Sequence, residues 1–126
     1  MLNVLAIMIG GSLGAVCRHG MFLLVQGLTG ELFPAGTLAV NLTGSFLIGI
    51  LWSLFDRLHL SHEMRLFIFT GFLGGFTTFS TFTRETTQLI KIGAWKTALI
   101  YVSISNIAGI ALVMAGFFLV RRLSLR

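Results

Sequence analysis

From Gly74 to Thr83 the chain reads Gly-Gly-Phe-Thr-Thr-Phe-Ser-Thr-Phe-Thr, placing five hydroxyls among ten residues inside an otherwise aliphatic stretch. Hydroxyls donate hydrogen bonds without carrying charge, so such a segment can strip the water from a small ion while leaving it free to move. The paired glycines weaken helix continuity, and an interrupted helix exposes carbonyls and amides able to hold an ion. The competing reading is that glycine and threonine simply let helices pack closely. Phe79 and Phe82 lie three apart, on one face of a helix. They are either packing filler or ring edges, whose partial positive charge attracts an anion. Thr78, Ser80 and Thr81 interleave with them as further donors.

Two other stretches carry similar chemistry. Asn41 is followed by Thr43, Gly44 and Ser45, and Tyr101, Ser105, Asn106 and Gly109 form a polar stripe at helical spacing. Each residue alone is accounted for by interhelical hydrogen bonding; together they describe a lining rich in donors and free of acids. The Asn41-Leu42-Thr43 glycosylation sequon carries no meaning inside an apolar span.

What is missing narrows the chemistry further. A proton-coupled exporter needs a carboxylate inside the membrane, yet Glu31, Asp56 and Glu63 fall in expected loops and Glu85 is expected near a helix end beside Arg84. His19, His59 and His62 stand apart from any cysteine or carboxylate pattern, so the sequence offers no metal cluster, nucleotide loop or nucleophile constellation. The expectation is that the chain is not an enzyme. Cys17 is the only cysteine, which rules out an intramolecular disulfide.

These residues must be positioned by membrane helices. Hydrophobic residues make up 56% of the 126 and charged ones only 10%, against about 45–50% and about 25% in soluble domains. Mean hydropathy is +0.95. Apolar runs over residues 2–25, 35–55, 64–90 and 97–120 are each long enough to cross a hydrocarbon core, which takes about 20 helical residues. The fold expected is therefore an all-α integral membrane protein of four transmembrane helices, one domain over residues 1–126, with its third helix broken at mid-membrane.

The net charge of +5 does not point to nucleic acid, because the basic residues punctuate the spans instead of clustering. Four spans put both termini on one side. Arg57, Arg65, Arg121, Arg122 and Arg126 then face that side, against Lys91 and Lys96 on the other, and counting Arg18 and Arg84 with the latter leaves five against four. So small a bias does not impose one orientation, and an antiparallel homodimer stays open.

The chain resembles the small fluoride channel family called Fluc or CrcB over essentially its whole length. The resemblance rests on Gly14-Ala-Val-Cys-Arg18-His19, on Gly36-Thr-Leu-Ala-Val-Asn41-Leu-Thr-Gly44-Ser-Phe, and above all on Gly71-Phe-Leu-Gly74-Gly-Phe-Thr77-Thr-Phe79-Ser-Thr-Phe82. It implies a dual-topology antiparallel homodimer in the bacterial cell membrane that exports fluoride passively from the cytoplasm and so limits its toxicity. It also implies a buried structural sodium ion, not transported, on backbone carbonyls of Gly74 and Thr77 from each subunit. By the same resemblance Asn41, Phe79, Ser80, Thr81, Phe82, Tyr101 and Ser105 line the fluoride pathway, and Arg18 attracts anions at a vestibule. His19, where an aromatic is expected, and Gly109, where some relatives have a hydroxyl, depart from the pattern. The rivals are a proton-coupled multidrug or guanidinium-type exporter and a non-transporting membrane subunit.

Overall fold

The computed structural model describes residues 1–30, 32–58 and 60–123. The loop positions expected for Glu31 and His59, and the boundary position expected for Arg126, lie outside the described residues. Helix α1 spans Leu2–Thr29, α2 Ala35–Phe55 and α6 Trp95–Leu123. Between α2 and α6 the third span is built in pieces: α3 at His62–Arg65, a π-helical segment at Leu66–Leu73, α4 at Gly74–Phe76 and α5 at Phe79–Lys91. No β-strand forms among the described residues. All four spans are long and apolar enough to cross a membrane, and the chain is a multi-pass membrane protein.

The span ends follow local chemistry. α1 continues past the expected Val25 because nothing breaks it before Gly30, whose φ of 82° lets its N–H close on the Gln26 carbonyl. Gln26 then fastens the connection to α2. Its Nε2 donates to the carbonyls of Gly30 and Phe33, and its Oε1 accepts from the Gly36 amide at 3.0 Å. Ser61 starts the third span as expected, its hydroxyl accepting from the Met64 amide at 3.2 Å.

Backbones meet closely along two seams. A Cβ on Gly49 would sit on the Val113 carbonyl oxygen and one on Gly116 on that of Phe46, so α2 and α6 pack with glycine against backbone on both sides. Gly10 and Gly14 of α1 press in the same way on the carbonyls of Phe67 and Phe72 in the π-helical segment. Such contacts replace the hydrophobic drive that is lost where lipid is as apolar as the side chains. The aliphatic residues face outward, as lipid requires: Leu24 is 72% exposed and Ile107 71%. α5 is the exception to the apolar pattern. It is held by Leu89 against Ala98 and Tyr101 of α6.

Candidate functional site

The third span breaks at Thr77–Thr78, where both residues are extended (φ −81°, ψ 157° and φ −148°, ψ 116°). The glycine pair expected to interrupt it is helical, and Gly75 serves instead to bring backbones together, since a Cβ there would strike the Gly11 carbonyl of α1. Asn41 of α2 makes the break. Its Oδ1 accepts from the Thr78 amide at 2.8 Å and its Nδ2 donates to the Thr78 carbonyl at 3.0 Å. Thr78 then caps α5, its Oγ1 accepting from the Thr81 amide at 3.3 Å.

These bonds reassign the backbone partners. In an unbroken helix the Thr78 amide would serve the Gly74 carbonyl and the Thr81 amide the Thr77 carbonyl. Asn41 takes the first and the Thr78 hydroxyl the second. The Thr77 amide and hydroxyl both turn back to Leu73, each 2.9 Å from its carbonyl. Gly74 and Thr77 therefore present carbonyls stripped of their helical amides, the donor chemistry that suits a hard cation. Among the described residues no cluster of His, Cys, Asp or Glu offers an alternative metal site.

Beside the break lies a cavity of about 430 Å³ that brings together Asn41, Thr77, Thr78, Phe79, Phe82 and Ser105 of the expected pathway and break, along with Gly74. It has no charged residue in its wall. The Phe79 and Phe82 rings are 5.7 Å apart and inclined at 42°. Phe79 is 76% exposed. The Ser105 hydroxyl is buried without a hydrogen-bond partner.

The remaining expected pathway residues lie elsewhere. Ser80 sits on the far side of α5 in a shallow pocket with Arg84, Gln88 and Lys91. Thr81 and Arg18 share a third cavity, of about 280 Å³, with His19, Thr37, Arg84 and Glu85. The Thr81 hydroxyl accepts from Thr78 Oγ1 at 3.0 Å, so its own proton stays free. Tyr101 is fully buried, its ring 5.1 Å from that of Phe82 and edge-on to Phe33. One copy of the chain thus splits the expected pathway among three pockets around α5, with Thr78 at the wall of two of them.

Residues 5–117 match the family model described as CrcB-like protein, Camphor Resistance (CrcB). The chain belongs to the CrcB family. Among relatives of this CrcB chain, a protein of Desulfotalea psychrophila named fluoride-specific ion channel FluC is 42% identical over 99% of the chain and 97% of its own length. Proteins of the same name from Salinibacter ruber and Agrobacterium fabrum are 47% identical over 92% of the chain and 46% over 98%, covering 87% and 99% of themselves. These names describe ion channels and not enzymes.

The CrcB chain also turns one acid inward. Glu85 lies within α5, which ends at Lys91, its Oε1 accepting from Thr37 Oγ1 and its Oε2 from the Tyr101 hydroxyl, each at 2.8 Å. The signal was available in the spacing: Thr37 is one turn before Asn41, and Glu85 one turn after Thr81. A carboxylate that closes two hydroxyls on separate helices is satisfied within the fold.

Proposed function

We propose that this chain is a fluoride-specific channel that lets fluoride leave the cytoplasm down its own gradient. The observation that carries the reading is the uncharged cavity at the helix break, lined together by Phe79, Phe82 and Ser105, whose buried hydroxyl has no partner. Fluoride holds its water tightly, so a pore must offer close donors in exchange. Asn41 retains one amide proton beyond its bond to Thr78, Ser105 has its whole hydroxyl free, and the edges of Phe79 and Phe82 add partial positive charge. Ser80, Thr81 and Tyr101 extend the pathway along α5 and α6, and Arg18 draws anions to its mouth. The full-length relatives that carry the name fluoride-specific ion channel support the same ion.

The working unit in this reading is an antiparallel homodimer of dual topology, with the break near mid-membrane. Gly74 is exposed and its carbonyl has lost its helical amide, a state that hydrocarbon does not tolerate. A second copy covers it. The carbonyls of Gly74 and Thr77 from both copies then hold a structural sodium ion that is not transported. Thr77–Thr78 falls midway along the His62–Lys91 span, which supports the depth assigned to it.

Glu85, bonded to Thr37 and Tyr101 inside the third span, gives the proton-coupled exporter its one foothold. A single experiment separates the two: fluoride efflux from liposomes containing only this protein, with a chloride control and a proton ionophore. A passive channel releases fluoride rapidly, without chloride and without dependence on a proton gradient. Efflux that requires the gradient identifies the exporter, and no efflux from folded protein leaves the non-transporting subunit.

A further inference from the structure

Hydroxyls within helices commonly close on the carbonyl one turn back, and in this chain Ser12, Thr29, Thr86 and Thr87 all do so, at 2.8–3.0 Å. Two serines facing the cavity at the break do not. Ser105 on α6 has a buried hydroxyl with no partner. Ser45 on α2 lines the same cavity, and its hydroxyl enters no hydrogen bond among the described residues. Gly109 stands opposite it: an ideal Cβ there would lie 3.6 Å from Ser45 Oγ. Ser105 and Gly109 are one turn apart on the same face of α6. Ser45 therefore faces, across the seam, a place where α6 has no side chain, roughly 6 Å along the axis from Ser105.

We propose that Ser45 is a second hydroxyl donor to the transported anion, paired across the cavity with Ser105 and kept accessible by Gly109. The inference rests on the fluoride-channel reading above. A buried hydroxyl without a partner, as at Ser105, is unfavourable in a dehydrated interior, and a second unbonded hydroxyl at Ser45 on the facing helix, with no acid in the wall, suits a small anion that accepts hydrogen bonds. The seam is held narrow on that side by Gly49 against Val113 and Gly116 against Phe46, so the station admits an ion near the size of water and excludes larger halides. Passage along the pathway then moves from the Asn41 amide and the phenylalanine edges to the serine pair.

The test is fluoride efflux from liposomes with wild-type protein, Ser45→Ala, Ser45→Thr and Gly109→Ala, each checked for monodispersity. Ser45→Ala should lower the efflux rate about tenfold, the loss of one hydrogen bond to an ion, while Ser45→Thr, which keeps the donor, stays within about twofold. Gly109→Ala adds a methyl at ordinary contact distance from Ser45 Oγ, so it folds and still slows efflux by narrowing access. Should Ser45→Ala fail to fold, Gly109→Ala decides alone: wild-type efflux from it overturns the proposal. Wild-type efflux from Ser45→Ala, or equal loss in Ser45→Ala and Ser45→Thr, overturns it while leaving the channel reading intact. Absence of efflux from the wild-type protein removes both.

Discussion

Asn41 and Thr78 exchange two hydrogen bonds, amide to side-chain oxygen at 2.8 Å and side-chain nitrogen to carbonyl at 3.0 Å. A carboxamide presents an acceptor oxygen beside one of its two N–H donors at about the spacing of a peptide group, so Asn41 meets Thr78 as a neighbouring strand would. The pairing lets the backbone leave the helix for two residues without abandoning the Thr78 polar groups, and it frees the Gly74 carbonyl in doing so. Structure and chemistry at this site thus depend on the same side chain.

Asn41→Ala should be costly to the fold. It orphans the Thr78 amide, whereas the Thr78 carbonyl keeps its helical bond as the N-cap of α5, so a loss of about 1–3 kcal/mol is expected in thermal or denaturant unfolding in detergent. Asn41→Asp keeps the acceptor for the Thr78 amide but sets a carboxylate oxygen against the Thr78 carbonyl, so it should not restore wild-type stability at neutral pH. An Asn41→Ala variant as stable as wild type would show that the break is held by something other than this pair.

Phe79 separates ion contact from packing more cleanly than any other residue. Its ring is 76% exposed, so Phe79→Ile should change the stability of a single copy by no more than about 0.5 kcal/mol. If its edge faces the ion, the same substitution should lower fluoride efflux by roughly tenfold or more. Phe82 packs on Tyr101 at 5.1 Å, and Phe82→Ile should lose both stability and efflux. Intact fluoride efflux and selectivity in both variants would discard ring-edge coordination.

The sequence disclosed the spans and the donor-rich segment, because both are written in residue type: apolar runs of spanning length and a local surplus of hydroxyls. It did not disclose where the helix would break. Gly74-Gly75 is the weaker helix former by propensity, yet a tertiary bond from Asn41, 37 residues away, moves the break to Thr77–Thr78. Nor could periodicity separate Ser80 and Thr81, which look continuous with Phe79 and Phe82 in the chain but point to other faces of α5. The partners of Glu85 were hidden for a related reason: Thr37 and Tyr101 come from two other helices.

Those partners make a measurable unit. Tyr101→Phe removes the donor to Glu85 Oε2 and Thr37→Val the donor to Oε1. Each should cost about 1–3 kcal/mol. Because both bonds serve one carboxylate, the double variant should depart from additivity by at least about 0.5 kcal/mol. Strict additivity in unfolding experiments would mean that Glu85 re-pairs freely after either loss.

The α2–α6 seam offers a steric test. A Cβ at Gly49 or Gly116 would run into a backbone carbonyl that cannot rotate away, so Gly49→Ala and Gly116→Ala should each force the helices apart. A loss of about 1–3 kcal/mol is expected. Gly20→Ala, on α1 with open space around it, should be neutral or slightly stabilising in the same unfolding assay, since alanine is the better helix former.

The sodium assignment is open to attack independently of fluoride. Two carbonyls per copy lack their helical amides, and four from an antiparallel pair would surround a monovalent cation without any charged side chain. Such a site has little charge with which to hold on, so its occupancy should respond to the sodium concentration during refolding. Protein purified and reconstituted with N-methylglucamine in place of sodium should lose fluoride efflux, and returning sodium should restore it. The protein should also melt lower without sodium, by an amount that grows with the depletion, since a ligand bound only to the folded state stabilises it by mass action. Efflux and melting that both ignore the exchange would leave the Gly74 and Thr77 carbonyls as the edge of a helix break and nothing more.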